Sequence, residues 1–110
     1  MSAEAIVMRQ VSFYNARDLE GFLSTYREDA VIEFPAQGVV VARGRDAIRA
    51  AYAKLFAANP DLNCAVVGCI VKGDCVAISE KITGRADEGV REALGVYQVK
   101  GGLITRAWFF

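Results

Sequence analysis

The stretch YNARDLEGFLSTYREDAVIEFP, residues 14–35, changes its hydrophobic period partway along. Arg17-Asp18 interrupts a helical pattern that runs in from the N-terminus, and Asp18 is a good N-cap for a second helix. Leu19, Phe22, Leu23 and Tyr26 recur at the spacing of a short amphipathic helix, which Arg27, Glu28 and Asp29 bring to an end. Residues 30–34 (AVIEF) then read as a strand, stopped by Pro35.

Outward from this switch, the N-terminal flank is a helix over residues 3–16. Ala3, Val7, Gln10, Val11 and Tyr14 share one face, which Ile6 and Phe13 widen. On the other side, Gln37-Gly38 turns the chain into a short strand at Val39, Val40 and Val41. Gly44 opens a third helix, with Asp46 in its first turn, where a carboxylate suits the helix dipole. Ile48, Ala51, Tyr52, Leu55 and Phe56 form its apolar face, and Asn59-Pro60 closes it. Strands are expected over residues 62–72, 75–83, 90–99 and 103–110, with tight turns at Gly73-Asp74 and Lys100-Gly101-Gly102. Between the second and third of these, Arg85, Asp87 and Glu88 read as a solvated loop. Three helices in the first half and an antiparallel sheet they can cover make an α+β domain. At 110 residues, 1–110 is expected to be one domain.

The charges cancel, thirteen basic against thirteen acidic, and they are scattered. No basic field is present to recruit nucleic acid or a membrane surface. No apolar run approaches the roughly 20 residues of a bilayer span. MSAEAIVMRQ lacks the pattern of a signal peptide, so the expected compartment is cytoplasmic. The odd cysteine count (Cys64, Cys69, Cys75) argues for buried reduced thiols and against a disulfide framework. Histidine is absent. That removes Ser-His-Asp and Cys-His catalysis and the commonest zinc ligand, and leaves acid–base work to Asp, Glu, Tyr, Lys or Cys. No cofactor or metal is expected. Arg43-Gly44-Arg45-Asp46 lacks the spacing of a phosphate-binding loop.

Strand alternation singles out Glu80. Val76, Ile78, Glu80 and Ile82 share a side, and three of the four are branched and apolar. A carboxylate on that face is desolvated and its pKa rises, which suits a general acid or base; a structural carboxylate paired across a pocket is the alternative. Gln10 and Tyr14 lie on an apolar helix face, where their polar atoms need a partner, either a ligand carbonyl or a protein group. Tyr97 is the best pocket candidate among the remaining tyrosines, with Tyr26 and Tyr52 read as core. Phe34 and Ile32 are expected as apolar wall. Trp108, with Arg106, is expected to face outward, as a dimer anchor or packed against a loop. Glu33 is outward by the same count.

The order of elements, with YNARDLEGFLSTYREDAVIEFP, then GRDAIRAAYAKLF, then a closing GGLITRAWFF, resembles the nuclear transport factor 2-like superfamily, which includes ketosteroid isomerases and SnoaL-like polyketide cyclases. The resemblance implies a cone: a strongly curved antiparallel sheet wrapped around three helices, with a pocket open at one end. It also implies a homodimer through the outer face of the sheet. Ketosteroid isomerases place a carboxylate before the proline of the first strand, a tyrosine on the first helix and a protonated aspartate on a late strand. The matching positions here are Phe34, Gln10 (with Tyr14 one turn on) and Gly95, so the usual isomerase machinery is absent.

Three functions fit these residues. One is cofactor-free acid–base chemistry on a hydrophobic small molecule, with Glu80 as the proton carrier and Gln10, Tyr14 and Tyr97 as donors to a substrate oxygen. The second is a non-catalytic pocket for a lipid-like or aromatic metabolite. The third is a dimeric interaction module.

Overall fold

The Ser2 hydroxyl accepts a hydrogen bond from the Ala5 backbone N–H at 3.1 Å and starts helix α1 (Ala3–Ala16). The computed structural model describes residues 1–86 and 88–110, so the expectation for Asp87 lies outside the described residues. Arg17 ends α1 in the left-handed region (φ 53°), and its N–H returns to the Tyr14 carbonyl. Asp18 then caps α2 (Leu19–Ser24) by accepting from Gly21 N–H at 3.0 Å.

The next element departs from the sequence pattern. Tyr26 opens strand β1 (Tyr26–Phe34), and Arg27, Glu28 and Asp29 are extended where the spacing predicts a helix end. Both periods bury Tyr26, so local spacing does not decide between them. The final strand does: Ile104 N–H bonds the Thr25 carbonyl at 2.8 Å, and Ile104 is the register partner of Tyr26. A 3-10 turn at Pro35–Gln37 leads to β2 (Val39–Arg43), then α3 (Arg45–Ala58), β3 (Asn63–Lys72), β4 (Cys75–Thr83), β5 (Arg91–Lys100) and β6 (Leu103–Phe109).

The six strands form one curved, unclosed sheet in the order β2-β1-β6-β5-β4-β3. Neighbours are antiparallel except β1 and β6, which are parallel, so the sheet is mixed rather than purely antiparallel as expected. The chain leaves β1 for one edge, crosses through α3 to the other edge, and works back strand by strand until β6 closes against β1. Register shifts at Ile32/Glu33, Val66/Gly68 and Gln98/Val99 mark irregular pairing, which adds local bend and twist.

The helices cover the inner face. Phe22 packs against Tyr52 (ring centroids 4.5 Å apart), Tyr26 (5.1 Å) and Phe56 (5.7 Å), and Tyr14 closes on Phe56 at 5.6 Å. This aromatic cluster joins all three helices to β1. Cover fails at the far half of β3, where Cys69 and Val71 are exposed although their register partners on β4, Ile78 and Val76, are fully buried. Cys69 lies there and is exposed and Cys75 is half-buried, so of the three thiols only Cys64 is buried as expected. The helices do not extend far enough to shield the rest. No helix among the described residues is long and apolar enough to cross a membrane.

Candidate functional site

β4 delivers Glu80 inward, as its alternation requires. Val76 and Ile78 are fully buried beside it and Glu80 itself is 5% exposed. Its Oε2 accepts from the Tyr97 hydroxyl at 3.3 Å and from the Cys64 thiol at 3.6 Å. Its Oε1 is buried with no hydrogen-bond partner among the described residues. Burial pushes the Glu80 carboxyl up to about 7; the Tyr97 and Cys64 hydrogen bonds and the positive charge of Arg91 pull it part of the way back.

Three local devices hold this group. Asn15, at the end of α1, bonds both backbone groups of Cys64: its amide donates to the carbonyl at 3.0 Å and its oxygen accepts from the N–H at 2.7 Å. That fixes the start of β3, where Cys64 is the register partner of Ile82. The second device is the Cys64 thiol itself. Burial, with the negative charge of Glu80, pushes it up to about 12, so it acts as a donor and not as a thiolate nucleophile. The third is Gly95. A Cβ built there would lie 3.0 Å from Tyr97 Cε1 and 3.1 Å from its hydroxyl. The missing side chain is the space through which the Tyr97 ring lies along the sheet to reach Glu80.

Glu80, Tyr97 and Cys64 line a cavity of about 90 Å³ between the helices and the sheet. Gln10, Tyr14 and Phe34 line it too, as do Tyr52, Arg85, Arg91 and Phe109. All the expected site residues, Glu80, Gln10, Tyr14, Phe34 and Tyr97, therefore meet around one space. Ile32 does not join them: it is buried in the core, short of where β1 reaches the cavity at Phe34.

The polar groups differ in how far they are committed. Gln10 donates to the Val7 carbonyl and accepts from the Tyr26 hydroxyl, both at 3.3 Å, so its amide is satisfied within the protein. The hydroxyls of Tyr14 and Tyr52 have no hydrogen-bond partner among the described residues. Burial raises the pKa of both, so they stay neutral donors. Tyr52, core by its helical spacing, serves both purposes: its ring packs on Phe22 while the residue lines the cavity.

Two cations join the site without having been singled out by pattern. Arg85 belongs to the loop read as solvated, yet it is half-buried at the cavity. Asn59 pins that loop by accepting from Ala86 N–H at 2.8 Å. Arg91 begins β5, and the sequence does hold a signal for it: Arg91, Ala93, Gly95 and Tyr97 share one strand face, the face that carries Tyr97 inward. Among the described residues, no group of three His, Cys, Asp or Glu side chains converges as a metal site.

A SnoaL-like domain profile matches residues 7–107. The chain belongs to the SnoaL-like family. Solved structures agree with this SnoaL-like assignment. A cystatin-fold protein of unknown character from Novosphingobium aromaticivorans is 26% identical, with a TM-score of 0.91 over 100% of this chain and 98% of that one. A protein provisionally named a polyketide cyclase, from Sinorhizobium meliloti, is 22% identical with a TM-score of 0.84, covering 96% of this chain and 94% of that one. A protein provisionally named a ketosteroid isomerase, from Kribbella flavida, is 22% identical with a TM-score of 0.86, covering 98% of this chain and 76% of that one. At these identities the last two show the shared SnoaL-like fold. No protein of curated function matches the chain.

Proposed function

We propose that this SnoaL-like domain is a cofactor-free acid–base enzyme that moves a proton beside the carbonyl of a hydrophobic small molecule. One observation carries the reading: Glu80 is a buried carboxylate on the wall of a cavity, with one oxygen held by Tyr97 and Cys64 and the other uncommitted. A carboxyl poised near 7 is ionised often enough to accept a proton and acidic enough to return it.

In the proposed step, ionised Glu80 takes a proton from the carbon next to the substrate carbonyl. The C–H electron pair becomes the C=C bond of an enolate, and the carbonyl oxygen takes the negative charge. Tyr14 and Tyr52 donate hydrogen bonds to that oxygen. Neutral Glu80 then gives its proton to the same carbon or to a conjugated one, which restores the carboxylate and completes an exchange or an isomerisation. Tyr97 and Cys64 hold Glu80 in place throughout. The group set differs from that of ketosteroid isomerases, whose positions are Phe34, Gln10 and Gly95 here.

The test is hydrogen–deuterium exchange at the carbon beside the carbonyl of small aryl ketones in D2O, monitored by NMR. The native chain should accelerate exchange, and Glu80→Gln should reduce the acceleration by about 10²- to 10⁴-fold while ligand binding persists. Equal exchange by both proteins would sink the proposal, and binding without exchange would leave a non-catalytic pocket.

We also propose that the outer face of the sheet seats a second copy of the chain. Ile70, Ala77, Val96 and Trp108 are successive register partners across β3, β4, β5 and β6, forming one apolar row. Trp108 faces outward as expected, with the Arg106 guanidinium over its ring at 5.5 Å. Sedimentation of Trp108→Glu should give the monomer mass where the native chain gives twice that; equal masses would remove the reading.

A further inference from the structure

Arg91 has a setting that the proton-transfer step leaves unexplained. It is half-buried on the cavity wall, and no acid pairs with it among the described residues. Its guanidinium stands over the Phe34 ring, 5.6 Å from the centroid, which supports the side chain without engaging the donors as an ion pair would. Strand register fixes its relation to Glu80. Glu80 pairs with Ala93, and Arg91 is the next inward residue along β5, opposite Ile82. Diagonal neighbours of this kind stand roughly 7–8 Å apart on one sheet face.

The two arginines on the cavity wall differ in their partners. Arg85 stands 3.9 Å from Glu88 as an ion pair, whereas Arg91 has no acid at ion-pair distance among the described residues. With Glu80 a diagonal step away and no carboxylate in ion-pair contact, the Arg91 donors are open to a ligand, and the planar fork of a guanidinium matches a carboxylate. With about 90 Å³ inside, the space takes one ring-sized apolar body, which leaves a charged substituent at Arg91.

We propose that the pocket selects an anionic substrate, a ring-bearing carbonyl compound whose carboxylate is held by Arg91 while its ring occupies the apolar cavity. Placing the proton-bearing carbon of that compound at Glu80 rests on the acid–base reading above; the carboxylate contact does not. The class is thus an aryl or alicyclic keto acid, and Arg91 is a specificity-determining residue one step along the sheet from the proton carrier.

The experiment compares acid and methyl ester of the same skeleton. Phenylpyruvate and 3-benzoylpropionate, each with its ester, are titrated at low salt by ligand-observed NMR. The native chain should bind the better acid at least roughly tenfold more tightly than its ester, the scale of a charge-assisted hydrogen bond. Arg91→Gln should bring acid and ester within about twofold of each other, by weakening the acid and leaving the ester unchanged. If that variant does not fold, Arg91→Lys, which keeps the charge and loses the fork, decides: a reduced acid preference supports the proposal. Equal affinities in the native chain, no binding by either acid, or an undiminished preference in a folded Arg91 variant would overturn it. Glu80→Gln separates the two proposals. Retained acid preference with no exchange activity in any protein, native included, supports the carboxylate site and removes the proton-transfer reading.

Discussion

Glu80 and Glu33 sit on strands of one sheet and face opposite ways, and the contrast shows what burial does to the same side chain. Glu33, on β1, meets Arg106 of β6 on the outer face, beside Trp108. The pair is partly open to water, with the arginine side chain 44% exposed, and such pairs contribute little because solvent screens them. Glu80, on β4, has a hydroxyl and a thiol where Glu33 has a guanidinium. Neither neutral donor compensates fully for lost water, so the carboxyl rises to about 7. The outer glutamate is a surface ion-pair partner, while the inner one is held near its titration point.

The largest break in this symmetry is the dependence of stability on pH. Because the folded-state pKa of Glu80 lies above its ordinary value of 4.5, the folded protein holds a proton that the unfolded chain releases. The favourable contribution is full below pH 4.5 and is lost as pH rises toward about 7. Urea unfolding of the native chain should lose about 2–3 kcal/mol between pH 5 and pH 8 relative to Glu80→Gln, which carries no titrating group there. A constant difference across that range would mean that burial does not raise the Glu80 carboxyl.

A smaller effect is expected from Gly95→Ala, which sharpens the comparison by disturbing a donor and not the acid. The added Cβ crowds Tyr97 and Phe109 at 3.0–3.2 Å and displaces the hydroxyl from Glu80. A loss of about 1–2 kcal/mol is expected on overpacking grounds, and the Glu80 carboxyl, seen by carbon-detected NMR titration, should move further upward. Unchanged titration would show that Tyr97 does not govern it. The least effect belongs to the outer face: Glu33→Gln should change unfolding free energy, measured by urea denaturation, by less than about 1 kcal/mol.

Much of this architecture is legible in the sequence because it follows from period. α1 spans the expected residues, and Glu80 lies inward because three branched neighbours share its side. The failures arise where two rules give the same local answer. Tyr26 fits the end of a helix and the start of a strand, and only β6, some eighty residues on, resolves it. Tyr52 packs as core and faces the cavity at once, so spacing identifies half of its role. Arg91 is open to the same alternation argument as Tyr97, but a charged residue at a strand start reads as solvated unless the cavity beside it is known. Cys69 depends on how far three helices reach over a sheet, which no local pattern encodes.

The uncovered half of β3 has a consequence for handling the protein. Val66 to Val71 is a short, uncharged, proline-free run on a sheet edge, the composition that templates strand addition and aggregation. Two features blunt it: the register shift at Val66/Gly68 interrupts a flat row of backbone donors, and Lys72 places a charge at its end as a gatekeeper. Lys72 is therefore a poor site for labelling chemistry that removes its charge, because neutralising it would clear the end of this adhesive edge segment.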